Sequence, residues 1–390
     1  MPKKSILIVN NNMEIGGIQK ALVNLLREIG SQYDVTLFLF HKHGELLKDV
    51  PDSVKIVEAN PLLSLLGVSY EQSKGMGHLY FLIRTGLSLF SKLFGNRVPI
   101  ACLVHTAKRI GSFDVAISYM QNSAKKMFYG GCNEFVFKKT IAHKKISFLH
   151  CDFENYEGND AHNRNIYEKF DRIIAVSFGC QASFLKVMPH LKEKTRCVHN
   201  CYDFEQIKNL SNQKTMIYDN HYFNIVTVAR LAPEKGIVRC LDIMKRFHQE
   251  GIALRWHIVG DGPMRDEIHQ YIAKEKMKDV IILYGKQDNP YRYIKNADFL
   301  LLPSYHEAAP MVFHEAAILG VPVLSTKTSS AVELVENENI GWVCENDEKS
   351  IYKMLKELLL HPEMIQDKKA SLNVSTNNGA AIHELKRTIF

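Results

Sequence analysis

Two glutamates eight residues apart mark the segment SYHEAAPMVFHEAAILGVPV (304–323). Glu307 falls in a polar loop, and Glu315 falls two turns into the helix that follows. A glutamate on a helix is ordinarily a solvated residue. Glu315, however, lies in the mostly apolar run Phe313-His314-Glu315-Ala316-Ala317-Ile318, where its carboxylate could accept hydrogen bonds from a vicinal diol such as a ribose. The opening turn of that helix, at Pro310, Met311 and Val312, leaves backbone amides without intrahelical partners. Such amides suit a phosphate or sugar hydroxyls, although Pro310 has no N–H to give.

Three further loops are candidates. In VARLAPEKG (228–236), Arg230 and Lys235 lie five apart around Pro233. They are either two fixed cations for one diphosphate or two solvated loop residues. In HIVGDGPMRDEI (257–268), Gly260 and Gly262 follow a strand, as in a dinucleotide fingerprint. Arg265 occupies the place of the third glycine, so NAD is a poor match and a tight turn near a nucleotide stays open. In NNNMEIGGIQKAL (10–22), Gly16 and Gly17 either let the backbone approach a ligand or only make a turn. There is no D-x-D, and no His/Cys/Asp cluster has metal-ligand spacing. Neither a metal nor a cofactor is expected.

Every one of these loops follows a strand. Apolar β runs at 5–9, 35–40, 115–118, 145–149 and 172–176 alternate with helical patterns, starting with 17–29. A second series, at 223–228, 256–259, 280–284, 299–302 and 321–325, alternates with helices at 237–250, 264–274 and 311–319. Strand–helix–strand order implies parallel sheets. The expected organisation is an N-terminal domain over 1–200, a linker over 201–220, a C-terminal domain over 221–375, and a last helix over 376–390 that crosses back to the first domain. Ligands in such sheets bind beyond the carboxyl ends of the strands.

Composition narrows the class. Hydrophobic residues make up 46% and charged residues 23%, as in soluble globular proteins, and 390 residues suit two cores rather than one. The net charge of +7 is too small for a histone-like partner, and nucleic acid is not expected. Eight scattered cysteines without a CxxC read as reduced thiols of a cytoplasmic protein. The apolar run Ile6–Val9 ends at Asn10-Asn11-Asn12, too short for a signal peptide, and no run is long enough to span a bilayer.

Charge is unevenly placed. Between residues 72 and 150, twelve Lys and Arg face only Asp114 and Glu134. Inside that stretch, residues 78–97 read as one helix with Leu79, Leu82, Ile83, Gly86, Leu87, Phe90 and Phe94 on a face. It is either packed on a core or laid on an anionic membrane surface.

Together, VARLAPEKG, VGDGP and E-x7-E followed by GVPV resemble the retaining GT-B glycosyltransferases of family 4, those that build bacterial surface polysaccharides. GGIQKALVNLL, LHCD (149–152), DRIIAVS (171–177) and VHNCYD (198–203) extend the resemblance over most of the chain. The resemblance implies an α/β fold of two Rossmann-like parallel-sheet domains facing across a cleft. The first domain would take the acceptor. It also implies that Gly16 and Gly17 lie against the donor's phosphate and sugar, that Arg230 and Lys235 bind its diphosphate, and that Glu307 contacts its sugar hydroxyls. Glu315 would hold the ribose, and His150 would stand near the reacting sugar. Where the family has E-G-F-G, this chain has Glu307-Ala308-Ala309-Pro310, which moves the amide role to Met311 and Val312. The implied activity is metal-independent, retaining transfer of a hexose from a nucleotide sugar, a UDP-sugar, to an oligosaccharide on undecaprenyl diphosphate at the inner leaflet. The rivals are a sugar-nucleotide 2-epimerase-like enzyme and a non-catalytic nucleotide-sugar binding protein.

Overall fold

The computed structural model describes residues 2–390. Among them are two wholly parallel sheets. The first contains β1 (Ser5–Asn10), β2 (Asp34–Leu39), β3 (Lys55–Glu58), β4 (Ile110–Ser118), β5 (Thr140–Leu149), β6 (Arg172–Ala175) and β7 (Thr195–Cys197), in the order 3-2-1-4-5-6-7. The second contains β8 (Phe223–Val228), β9 (Leu254–Val259), β10 (Ile281–Gly285), β11 (Phe299–Leu302), β12 (Val323–Thr326) and β13 (Gly341–Cys344), in the order 10-9-8-11-12-13. Helices cover both faces of such sheets, so the central strands are apolar throughout; Ile6, Leu7, Ile8 and Val9 are fully buried. Strand order reverses between β1 and β4 and between β8 and β11. The loops after β1 and β8 therefore stand at the switch points where doubly wound sheets take ligands. Those loops carry Gly16-Gly17 and Arg230.

The chain up to Tyr202 together with Asn378–Phe390 forms one compact unit, and Asp203–Asn377 forms the other. Residues 201–220, expected to be a linker, include a short helix. Asp203 caps the helix Phe204–Ser211 by accepting from the Gln206 amide, and Ile207 and Ser211 are buried. Two inward positions on a helix this short make too weak a period to read in sequence. The helix Gly379–Ile389 lies in the first unit. Asn378 donates to Glu28 and to the Tyr202 carbonyl, and the Phe390 ring sits 5.2 Å from Tyr33 with the Lys4 ammonium over it.

The single helix expected over 78–97 is two helices, His78–Phe94 and Arg97–His105. Gly95, at φ +96°, ends the first. Asn96 then turns the chain. Its backbone amide donates to the Lys125 carbonyl, and its side-chain amide reaches Ser123 Oγ and the carbonyls of Ala124 and Met127. Nor is the apolar stripe a single packed face. Ile83 and Leu87 pack on the core, whereas Leu79, Leu82, Phe90 and Phe94 are exposed along with Leu89 and Leu93, Leu79 by 67% and Phe94 by 71%. The residues turned inward and buried are Arg84 and Ser91.

Asn96 satisfies two buried acceptors and one part-buried acceptor at that turn, and leaving a buried group unpaired costs about 1–3 kcal/mol. Asn96→Ala should lower the urea unfolding free energy by that order, measured by circular dichroism. A change of only a few tenths would mean that the turn does not depend on Asn96.

Candidate active site

In the second unit three loops are held together by close backbone approaches. Gly260 and Gly262 take φ of +148° and +159°, and a Cβ on them would stand 1.8 Å from the Ala229 carbonyl oxygen and 2.5 Å from that of Leu231. The Ala229 and Leu231 amides donate to the carbonyls of Val259 and Asp261, and the Met264 amide donates to Leu231. Gly236, at φ +64°, passes so near Pro303 that a Cβ would lie 2.0 Å from its oxygen. The structure thus places Gly260 and Gly262 where they lock the 259–262 turn onto the Arg230 loop. Arg239, which sequence reasoning passed over, fastens the third loop. It donates to the carbonyls of Pro303 and Ser304 and to Asn346 Oδ1, with its guanidinium 4.0 Å over the Tyr305 ring.

This clamp presents a buried carboxylate and its cation. Glu307 Oε1 accepts from Lys235 Nζ at 2.6 Å and from Ser304 Oγ at 2.6 Å. The Glu307 carbonyl accepts from Ser329 Oγ. Glu307 is buried, while Lys235 keeps about a quarter of its side chain exposed. Arg230 does not join Lys235 on a common point. It pairs instead with Glu234, four residues on, at 2.6 Å, with its side chain 68% exposed. An exposed pair of this kind is worth about 0–1 kcal/mol, so the guanidinium is released at little cost to a better anion.

Glu315 is buried on the helix Met311–Ile318 and accepts from the Tyr291 hydroxyl at 3.2 Å. That helix follows Pro310 with no side-chain cap, and Met311 and Val312 are buried in its first turn. Ser304, Arg239 and Tyr291 were missed by sequence reasoning. Ser304 could have been suspected from its place three residues before Glu307. Tyr291 comes from a separate helix, Tyr291–Ile294, and no spacing links it to Glu315.

In the first unit, Gly16 is extended at φ −165° and precedes the helix Gly17–Ile29, whose first turn holds no acidic residue. Its torsion does not demand glycine, and a Cβ there would meet only the far end of the Gln19 side chain. Two preceding asparagines pin this loop: Asn11 donates to the carbonyls of Leu66 and Gly130, and Asn12 to that of Gly67. His150 directly follows β5. Its ring lies 4.8 Å from that of Tyr119 and stacks on Phe148. One ring nitrogen is bonded to the Tyr119 backbone, and Nε2 is buried without a partner. Burial pushes the imidazole down to about 3, so it is neutral near pH 7 and presents a lone pair at Nε2.

Residues 211–372 match the family described as Glycosyl transferases group 1. The segment is therefore of the group 1 glycosyltransferase kind, and it contains Arg230, Lys235, Arg239, Gly260, Gly262, Tyr291, Ser304, Glu307 and Glu315. Among curated relatives, the putative colanic acid biosynthesis glycosyltransferase WcaL of Escherichia coli K12 is 33% identical over 142 residues, 34% of each chain. The chain thus spans about a third of the length of the curated relatives it matches first. The N-acetylgalactosamine-N,N'-diacetylbacillosaminyl-diphospho-undecaprenol 4-alpha-N-acetylgalactosaminyltransferase of Campylobacter jejuni is 22% identical over 95% of this chain and 93% of its own. The structure of Anabaena HepE with UDP and glucose superposes with a TM-score of 0.69 over 99% of both chains, at 17% identity. That likeness establishes the fold, two Rossmann-like parallel-sheet α/β domains, as the GT-B resemblance implied.

The depressed His150 has a consequence in acid. An unfolded histidine titrates near 6.5, so between that value and about 3 the unfolded chain binds a proton that the native state refuses. Stability is full above the ordinary value and is lost as pH falls below it, at up to about 1.4 kcal/mol per pH unit. His150→Gln should flatten the fall of the urea midpoint between pH 7 and pH 5. An unchanged slope would place the acid sensitivity elsewhere, for instance at His257, held down to about 4 chiefly by burial.

Proposed function

We propose that the chain is a retaining glycosyltransferase that moves a hexose from a UDP-sugar to a growing, lipid-linked surface oligosaccharide without a metal. The observation that carries this reading is the Lys235–Glu307–Ser304 group, built on a buried carboxylate, inside a segment of the group 1 kind. Arg230, drawn off Glu234, and Lys235 would neutralise the diphosphate, as fixed cations do for developing charge. The uncapped amides of Met311 and Val312 would add to this. Lys235 would orient Glu307 toward the donor's hydroxyls, and Glu315, already accepting from Tyr291, would take the ribose. Gly16 and Gly17 would stand against the donor, and Gly260 and Gly262 would support Arg230 from behind. His150, neutral with a lone pair at Nε2, would accept from a sugar hydroxyl rather than move a proton.

In this mechanism the sugar C1–O bond to the diphosphate breaks while C1 bonds to the acceptor oxygen on the same face. The acceptor's proton passes to the departing phosphate oxygen, so configuration is retained and no glycosyl–enzyme bond forms. The UDP-bound HepE likeness and the diphospho-undecaprenol in the name of the Campylobacter relative favour the donor base and the acceptor class.

UDP bound only by the native state should stabilise it by about 2.7 kcal/mol at a hundredfold excess over Kd. Thermal-shift titration with UDP, GDP and ADP should show a shift with UDP that survives EDTA and is lost in Lys235→Ala. A shift equally large in Lys235→Ala, or none with any nucleotide, would overturn the assignment.

We also place the protein at the cytoplasmic face of the membrane, docked by the helix His78–Phe94. Its outward residues Leu93 and Phe94 are exposed, as are Val98 and Met127. Lys92, Arg97, Lys125 and Lys126 are exposed around them, and no acid occurs between residues 78 and 109. An apolar face rimmed by cations suits anionic headgroups. Co-sedimentation should be strong with phosphatidylglycerol vesicles, weak with phosphatidylcholine, and lost in Leu93→Ser/Phe94→Ser. Equal binding to both lipids, or none, would refute the placement.

A further inference from the structure

The carboxylate of Glu315 is held by a hydroxyl from a different element. Tyr291 and Glu315 are each 3% exposed, and the tyrosine hydroxyl donates to Glu315 Oε1 at 3.2 Å. A glutamate carboxylate turns about a terminal torsion without sharp minima. Unheld, it samples many planes, and a ligand has to fix one of them on binding. A hydroxyl donated to Oε1 fixes that plane in the folded protein beforehand. A carboxylate accepts about four hydrogen bonds, so one donor from the protein and two from a vicinal diol fit on it together.

The hydroxyl serves as a fixed point only if its own element is fixed. Tyr291 opens the helix Tyr291–Ile294, in which Tyr291, Tyr293 and Ile294 are buried. A helix so short has no stability of its own, and hydrogen bonds from neighbouring segments hold it. The Arg292 carbonyl accepts from the Met216 amide at 3.0 Å, and the Tyr293 carbonyl accepts from the Tyr218 hydroxyl at 2.6 Å. The Tyr293 hydroxyl donates to Gln287, whose own amide donates to the Tyr284 carbonyl near the end of β10. Just ahead of the helix, Asn289 donates to the Leu210 carbonyl.

We propose that Tyr291 is a positioning residue for the donor's ribose. It presets the Glu315 carboxylate for the 2′,3′-diol, and through that carboxylate the protein prefers a ribonucleotide to a deoxyribonucleotide. The inference rests on the reading of Glu315 as the ribose acceptor. It deepens that reading by assigning the discrimination to a residue that acts through Glu315 and not on the ligand. Preset groups of this kind bind without reorganising, which is what a supporting residue contributes to a site.

The test is isothermal titration of UDP and 2′-deoxy-UDP into the full chain and its variants. The wild type should prefer UDP about tenfold or more, the size of one hydrogen bond to a charged group. Tyr291→Phe keeps the buried ring and removes only the hydroxyl. It should weaken UDP more than 2′-deoxy-UDP and reduce the preference to about threefold or less. A merely structural tyrosine would lower the melting temperature or weaken both nucleotides alike, and their ratio would not move. In a Glu315→Gln background, Tyr291→Phe should change UDP binding by less than about twofold, because both substitutions act on one contact.

A wild-type preference that survives Tyr291→Phe would overturn the proposal and leave Glu315 on the ribose. A wild type that binds both nucleotides equally would overturn the ribose role of Glu315 and this inference with it. Absence of UDP binding would overturn the inference together with the transferase reading. Should Tyr291→Phe fail to fold, Glu315→Asp withdraws the carboxylate from the hydroxyl by one methylene. A preference kept in that variant would equally overturn the proposal.

Discussion

The second unit depends on how closely its loops approach one another. At Gly236, Gly260 and Gly262 a carbonyl oxygen occupies the space where a side chain would begin. Only glycine both adopts those positive φ values and yields that space. The approach draws the loops after β8, β9 and β11 into one rigid body, within which Lys235, Ser304 and Glu307 meet at hydrogen-bond distance. Polar groups placed on such a scaffold need little reorganisation when charge develops, which is the property electrostatic catalysis requires.

That scaffold was partly legible. Gly260 and Gly262 stood out in sequence as a turn, and the strand-to-helix rhythm placed both sheets. What spacing could not show was the partner each glycine faces, because Ala229 and Leu231 come from another loop. The same limit hid Tyr291 from Glu315 and Arg239 from Pro303. Short strands such as β3, β7 and β13 escaped notice because three or four residues at a sheet's outer positions need no apolar run. Spacing left Arg230 and Lys235 as either two cations for one diphosphate or two solvated residues, and it could not show the carboxylates they pair with, Glu234 and Glu307.

The helix His78–Phe94 inverts the usual rule. Its hydrophobic stripe was identified in sequence, but hydrophobicity alone does not say which side faces the core. Burial of Arg84 and Ser91 rather than Leu79 and Phe94 decides that question. Of that stripe only Ile83 and Leu87 pack on the core, so its exposed remainder runs against the ordinary drive to bury apolar surface.

The interleaving of the two units also has a consequence for biosynthesis. The Asn378 side chain donates to the Tyr202 carbonyl and accepts from the Tyr202 amide, so the chain leaves the first unit and re-enters it at one pinned point. Residues 203–377 are topologically a loop inserted into the other unit. A ribosome emits the insertion before the helix Gly379–Ile389 that completes its host. The host's Tyr33 and Glu28 must wait for residues 378–390, so the unit begun first is closed only after the other has been made.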